Sequence, residues 1–134
     1  MDAIEVMKLM GDMGLMYKES ELDETICYFM NMIKDERVIK VDKDGTPYAI
    51  LVYSITDDCE PFLKKRTWEY KLHFPDGKTA YIEKIVSKGF DKELRTIFEQ
   101  IIRTKYPQIE YGAWHKWAKW GDRKVITKRR LLHV

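Results

Sequence analysis

Two side chains of the types used in acid–base chemistry lie in or beside apolar segments of the chain. Glu83 lies within the apolar run AYIEKIV, and His115 directly follows Trp114. An imidazole next to an aromatic ring can be held near a neutral pKa, where it exchanges protons readily. Glu83 can equally be one carboxylate of a strand's polar face, and His115 a surface or hydrogen-bonded residue. Both are candidate catalytic residues whose roles depend on their positions in the fold.

Aromatic and basic side chains are concentrated in the last sixth of the chain. Trp114, Trp117 and Trp120 are spaced by three, with lysines between them, so a short helical turn would place the rings on one side. Rings beside cations can stack on bases and neutralise phosphates, and Lys128 and Arg130 add to this basic character. No RNP-like or helix-turn-helix pattern accompanies them. The alternative is that the tryptophans cover the core or contact a protein partner.

The charge is distributed unevenly along the chain. Residues 114–134 contain seven Lys or Arg and one Asp, a net +6, whereas the preceding residues contain 17 basic and 21 acidic side chains, a net −4. Such a split is typical of a nucleic-acid or acidic-partner surface. It also arises where an edge strand carries Lys and Arg that discourage unwanted pairing. A homodimer built on the last strand is a further possibility.

The composition predicts a single globular domain spanning residues 1–134. The chain has 45% hydrophobic and 13% aromatic residues, which is too rich in large apolar groups for disorder. No apolar run reaches the ~20 residues of a membrane helix, so we expect a cytoplasmic protein without a membrane partner. Cys27 and Cys59 are isolated from each other and from histidine clusters, which predicts two reduced thiols and no metal site.

The hydrophobic patterns predict three helices and six strands. Ser20, followed by E-L-D, resembles a capping box that begins the second helix, and Asp91 is an expected N-cap of the third. We expect residues 58–66 to form an exposed connection. The predicted elements are a helix from Asp2 to Met13 or Met16, a helix from Ser20, strands at 37–41, 47–55, 68–74 and 78–87, a helix from Asp91 to Tyr106, and strands at 109–114 and 124–132.

These elements predict an α+β protein with a mostly antiparallel mixed sheet. The order strand, helix, strand between residues 78 and 114 is the one expected crossover unit. Its two strands should be parallel and adjacent or nearly so, because such connections are right-handed and span neighbouring strands. Glu83 and His115 would then lie on or beside the same strand pair.

Two N-terminal helices, a series of antiparallel hairpins, a strand-helix-strand unit and a final antiparallel strand resemble the GNAT-like acyl-CoA N-acyltransferase fold. In amino-acid sequence, the chain most resembles small GNAT-like proteins encoded by bacteriophages. The segments that carry this resemblance are AYIEKIVS, the helix end KYP, and the strand end WH at Trp114 and His115. It implies a location in the host cytoplasm or in the phage particle.

The resemblance implies a role for several residues in acyl transfer to an amine. In catalytic members the strands corresponding to those of Glu83 and Trp114 separate, and acyl-CoA lies in the notch. Glu83 is then the candidate general base, His115 a second base or proton carrier, and Tyr111 an acid toward the leaving thiolate.

The resemblance also implies where the donor would bind, at Ile85, Ser87, Lys88 and Gly89. The pyrophosphate would lie over the N-terminus of the following helix, where amides and the helix dipole favour phosphate. The sequence SKGFDKEL departs from the usual glycine-rich loop, since it lacks the second glycine and places Asp91 at the cap. This departure counts against ordinary binding of acetyl-CoA or another acyl-CoA.

Three functions remain open on the sequence alone. The first is a GNAT-like N-acyltransferase that uses a CoA or carrier donor. The second is a non-catalytic GNAT-like interaction protein, such as a phage virion, assembly or host-takeover component. The third is a nucleic-acid-binding protein that uses the basic C-terminal strand, for which binding should depend steeply on salt.

Overall fold

A computed structural model describes residues 1–69, 72–117, 121 and 123–131, of which Trp117 is described by its backbone alone. The helices and strands are numbered in chain order. They are α1 (Ala3–Asp12), a 3₁₀ turn (Glu19–Glu21), α2 (Leu22–Lys34), β1 (Val38–Lys43), β2 (Thr46–Thr56), α3 (Pro61–Lys64), β3 (Thr79–Ser87), α4 (Lys92–Lys105), β4 (Tyr111–Trp117) and β5 (Lys124–Arg130).

The strands of the described residues form one mixed sheet in the order β1-β2-β3-β4-β5. Neighbours are antiparallel except β3 and β4, which are parallel and joined through α4. The predicted α+β class and the single parallel crossover are therefore confirmed. The expected capping of α4 is confirmed as well, because the Asp91 side chain accepts a hydrogen bond from the backbone N–H of Leu94. No helix within the described ranges is long and apolar enough to cross a membrane.

The sheet has a helical layer on each face, which explains why β2 is buried along most of its length. One core joins α1 and α2 to one face of the sheet and includes Val6, Met10, Tyr28, Phe29, Ile50, Val52 and Trp68. The other core joins α4 to the opposite face and includes Leu51, Tyr53, Ala80, Leu94, Phe98 and Ile102. Alternate residues of β2 enter alternate cores, as the period of a strand requires.

A β-bulge interrupts β3 at Glu83. Val52 of β2 pairs with Lys84 and the next residue, Tyr53, pairs with Ile82, so Glu83 is the extra residue. The side chain of Glu83 reaches Tyr28 of α2, and the Lys84 ammonium lies 4.8 Å from the centre of the Trp68 ring. Two consecutive side chains therefore face the α1 and α2 layer, which regular alternation would forbid.

The predicted strand at 68–74 is wrong for the residues that the structure describes there. Trp68 packs on Tyr28 and Phe29 from a loop, and its indole N–H donates to Glu21. His73 uses its ring nitrogen to accept from the backbone of Ile55. Trp68 and His73 are thus separate anchoring contacts of a loop.

Two further expectations about connections are wrong. The segment 58–66 contains α3 and buries Cys59 and Phe62, with the Phe62 ring stacked 4.1 Å from that of Tyr81. Ser20 lies in the 3₁₀ turn, and α2 begins after Glu21 without a side-chain cap. Local contacts of the turn replace the expected capping box.

The helical turn expected for the three tryptophans is wrong for residues 114–117, the part of this segment that the structure describes. Trp114 and His115 lie inside β4, because β5 pairs with β4 through Trp117 and Lys124. The side chain of Trp117 and the whole of Trp120 lie outside what the structure describes. The expected aromatic ridge is therefore reduced to Trp114 within the described part of the chain.

We expect His73 to make the fold sensitive to acid. Burial, and to a smaller extent the nearby Arg37 charge, lower the pKa of His73 from 6.5 to about 4. Its Nδ1 accepts the Ile55 N–H at 2.9 Å, a bond that requires the neutral ring. An unfolded histidine takes up its proton near pH 6.5 and the folded one near 4. Stability should thus be complete above pH 6.5 and fall by about 2 kcal/mol as the pH decreases from 6.5 to 4.

The measurement is urea-induced unfolding of the wild type and His73→Asn at a series of pH values between 4 and 7.5. The asparagine keeps an acceptor near the position of Nδ1 but does not titrate. The difference in free energy of unfolding between the wild type and His73→Asn should change as the pH is varied over this range. A constant difference would contradict the assignment.

Candidate functional site

The parallel pairing of β3 with β4 is short, and the two strands separate beyond it. The ladder comprises Thr79 with Tyr111, Ala80 with Gly112, and Tyr81 with Ala113. Both strands continue past these pairs, β3 to Ser87 and β4 to Trp117. A gap therefore opens in an otherwise continuous sheet directly after Tyr81.

The gap opens into a cavity of about 580 Å³ between the sheet and α4. Most of its walls are apolar, and Glu83, Lys84 and His115 line it together. The other lining residues are Leu51, Ala80, Ile82, Ile85, Phe90, Arg95, Phe98, Glu99, Ile102, Ile109, Gly112, Trp114, Arg129 and Leu131. Its size is within the range of about 300–1,000 Å³ that is usual for small-molecule sites.

Glu83 is held by a buried network of charged and polar groups. Its side chain is 2% exposed, and its Oε1 lies 2.8 Å from the Lys65 ammonium. Tyr28 and Ser54 donate hydroxyl hydrogen bonds to the same carboxylate. The Arg37 guanidinium lies 3.9 Å away. These contacts occupy both carboxylate oxygens, so the Glu83 side chain is committed to the buried network.

His115 lies at the gap and is bonded to the last tyrosine of the parallel ladder. Its Nδ1 is 2.6 Å from the Tyr81 hydroxyl, and among the described residues this is the one hydrogen bond of its ring. Burial lowers the pKa of His115, and the charges of Lys124, Lys84 and Lys65 lower it further. The imidazole is therefore neutral at pH 7 and able to accept a proton.

Tyr81 is held between two rings and remains protonated. It stacks on Phe62 and lies 6.2 Å from the His115 ring. Burial raises the pKa of Tyr81 above its ordinary value, and the nearby Cys59 and Glu83 raise it further. Its hydroxyl is therefore protonated at neutral pH and is not a phenolate.

Lys84 is the second charged group that the bulge brings to the gap. Burial is the largest cause that lowers the pKa of Lys84 to about 8; the charges of Lys65 and Lys124 act in the same direction, and that of Glu83 opposes them. A sizeable fraction of its amine is thus neutral just above physiological pH. The expectation from the sequence named Glu83, Ile85 and Ser87 in this strand but not Lys84. The signal for Lys84 was its position inside the same apolar run.

The predicted donor-binding segment at the end of β3 lies partly at the cavity. Ile85 lines the cavity, whereas Ser87 pairs with Ala49 of β2. The Lys88 N–H donates to the Tyr48 carbonyl. A Cβ at Gly89 would lie 2.7 Å from the Tyr48 hydroxyl, so a larger residue there would displace the end of that side chain. The loop is therefore fastened to β2 through Tyr48.

The other predicted residues lie away from the cavity or at its edge. Tyr111 is in the closed part of the ladder, with the Lys128 ammonium 4.5 Å above its ring. Lys128 and Arg130 are exposed on β5, and Trp114 lines the cavity. The structure therefore brings together Glu83, His115 and Trp114, and separates Tyr111 from them.

No group of three or more potential metal ligands occurs in the part of the chain that the structure describes. No protein-family model matches the chain, and no curated protein is significantly similar to it in sequence. The case for a function therefore depends on the cavity and the residues around it.

Proposed function

We propose that the protein is a GNAT-like N-acyltransferase that transfers an acyl group from a CoA or carrier thioester to an amine. The observation that carries this proposal is the separation of β3 and β4 after three residue pairs. It opens a cavity that reaches His115 through the sheet. The element order, the single parallel crossover and the position of this gap are the features that the GNAT-like resemblance implies.

The proposed reaction needs one proton acceptor and one proton donor. The amine nitrogen attacks the thioester carbonyl, the C–N bond forms, the C–S bond breaks, and the amine proton must leave. His115 is neutral and lines the cavity; with the ring proton on Nδ1, which donates to the Tyr81 oxygen, its Nε2 takes the amine proton. Its bond to Tyr81 fixes the orientation of the ring.

The leaving thiolate takes up a proton from a group near the gap. Tyr111 pairs with Thr79 at the closed end of the ladder, whereas Tyr81 is the last paired residue before the strands separate, is hydrogen-bonded to His115 and carries a protonated hydroxyl. Tyr81, acting directly or through His115, therefore replaces Tyr111 as the proposed acid. Glu83 acts as a fixed negative charge that holds Lys65 beside the gap.

Ligand binding is the first experiment. Thermal unfolding is measured with CoA, acetyl-CoA and dodecanoyl-CoA, because a ligand of the native state stabilises it by about 2.7 kcal/mol at a hundredfold excess over Kd. We expect a higher unfolding temperature with at least one thioester. Turnover is followed by mass spectrometry of released CoA with polylysine or spermidine as acceptor. Thiol reagents are avoided because Cys27 is exposed. No stabilisation by any CoA species would contradict the proposal for a CoA donor.

The basic edge of the sheet favours a second candidate, a protein or nucleic-acid interaction. Within the described part of the sheet β5 is an edge strand, and Lys128, Arg129 and Arg130 are exposed on it. Adding a short mixed oligonucleotide to the same titration tests this alternative. Stabilisation by the oligonucleotide alone, weakening steeply with salt, would favour nucleic-acid binding over acyl transfer.

A further inference from the structure

We propose that the cavity binds a medium-length unbranched acyl chain, so that the donor is a fatty-acyl thioester and not acetyl-CoA. The thioester part of this inference rests on the proposed function, whereas binding of the aliphatic chain does not. Apolar burial is roughly proportional to the area removed from water, so a chain that fills the cavity binds more tightly than a single methyl group.

The walls under α4 are built for an aliphatic ligand. Side chains from β2, β3, α4 and the segment before β4 converge there and belong to the buried core of that face. They are Leu51, Ala80, Ile82, Phe98, Ile102 and Ile109. The acyl group of acetyl-CoA would contact only a small part of this surface.

The polar groups are placed so that one end of the chain is fixed. Three polar side chains lie on the faces of β3 and β4 that point away from α4: Glu83, Lys84 and His115. They still line the cavity, because the gap between β3 and β4 opens it to that side of the sheet. Arg95 and Glu99 of α4 also border the cavity, and they form an ion pair with each other at 3.1 Å. A chain lying under α4 therefore places its carbonyl carbon at the gap beside His115.

Two small residues create the space for the chain. Ala80 and Gly112 are direct partners in the parallel ladder, and both line the cavity. A Cβ at Gly112 would lie 3.6 Å from Leu131, which is ordinary contact, so alanine is accommodated there. Larger side chains at either position would project into the cavity and occupy the space proposed for the chain.

The test compares dissociation constants for acetyl-, octanoyl- and dodecanoyl-CoA and for free dodecanoate, measured by isothermal titration calorimetry. We expect affinity to increase by roughly fourfold for each of the first buried methylenes, and by at least about a hundredfold from acetyl- to octanoyl-CoA. Ala80→Leu should remove this dependence on chain length, because the larger side chain occupies the space proposed for the acyl chain. Gly112→Ala is the matched control and should retain most of it.

The outcomes separate the two proposals. Equal affinity for the three thioesters would overturn the acyl-chain inference and leave the acyltransferase proposal intact. Dodecanoate binding without binding of any CoA thioester would support the inference and count against a CoA donor. If Ala80→Leu lowers the unfolding temperature markedly, Gly112→Val provides the same obstruction from β4. An unchanged chain-length dependence in a folded obstructing variant would also overturn the inference.

Discussion

Glu83→Ala lowers the free energy of unfolding by about 3–5 kcal/mol, which is the usual result of removing one partner of a buried ion pair. The substitution leaves the Lys65 ammonium, whose side chain is 8% exposed, without its carboxylate at 2.8 Å. It also removes the acceptor of the Tyr28 hydroxyl, which is fully buried. The measurement is urea-induced unfolding at pH 7, followed by circular dichroism.

Two variants serve as controls for this prediction. Glu83→Gln keeps the shape and one acceptor oxygen, so it should be less destabilising than the alanine variant. Glu110→Ala removes a partner of the solvent-exposed Lys78 and should cost at most about 1 kcal/mol. A loss below about 1 kcal/mol for Glu83→Ala as well would mean that the buried network does not stabilise the fold.

This network changes how an activity measurement on Glu83 is interpreted. From the sequence, Glu83 was a candidate general base or one carboxylate of a strand's polar face. In the structure its carboxylate is bonded to Lys65, Tyr28 and Ser54, so the alanine variant disturbs the core as well as the cavity. Loss of activity in Glu83→Ala would therefore not identify a base, and Glu83→Gln is the informative variant.

The parts of the fold that could be predicted are those in which local patterns and tertiary structure agree. The α4 helix has Asp91 at its start and an apolar face, and both features predict a helix whatever the rest of the chain contains. The segment 68–74 has a strand-like alternation, but Trp68 and His73 anchor a loop to two different surfaces. Alternation alone does not distinguish these cases, because it records burial and not backbone pairing.

The candidate site was predicted incompletely for a related reason. The crossover unit brings the strands of Glu83 and His115 together, and this followed from element order. The β-bulge, which turns Lys84 to the same face as Glu83, depends on the register of β2 against β3 and has no local signature. Tyr81 was missed because its hydroxyl becomes relevant only when β4 places His115 beside it.

His115→Gln should lower kcat for acyl transfer by about a hundredfold or more, within the usual range for loss of a general base. Glutamine can still hydrogen-bond to Tyr81 but does not accept a proton near neutral pH. Because the side chain lies at the gap and outside the walls under α4, the KM for the thioester should change by less than about threefold. The measurement is steady-state release of CoA from dodecanoyl-CoA with polylysine as acceptor.

The pH profile distinguishes proton transfer from a structural role of His115. Burial and three nearby lysines lower the pKa of His115 below 6.5, so the wild-type rate should be constant above that pH and decrease in more acidic solution. His115→Gln should lose this acidic decrease while remaining slow throughout. His73→Asn, which changes a histidine outside the cavity lining, should keep the wild-type profile at pH values where it is folded. If His115→Gln keeps the wild-type rate and pH profile, His115 has no part in the proton transfer. Lys84, whose pKa is lowered to about 8, would then be the amine best placed to accept the proton.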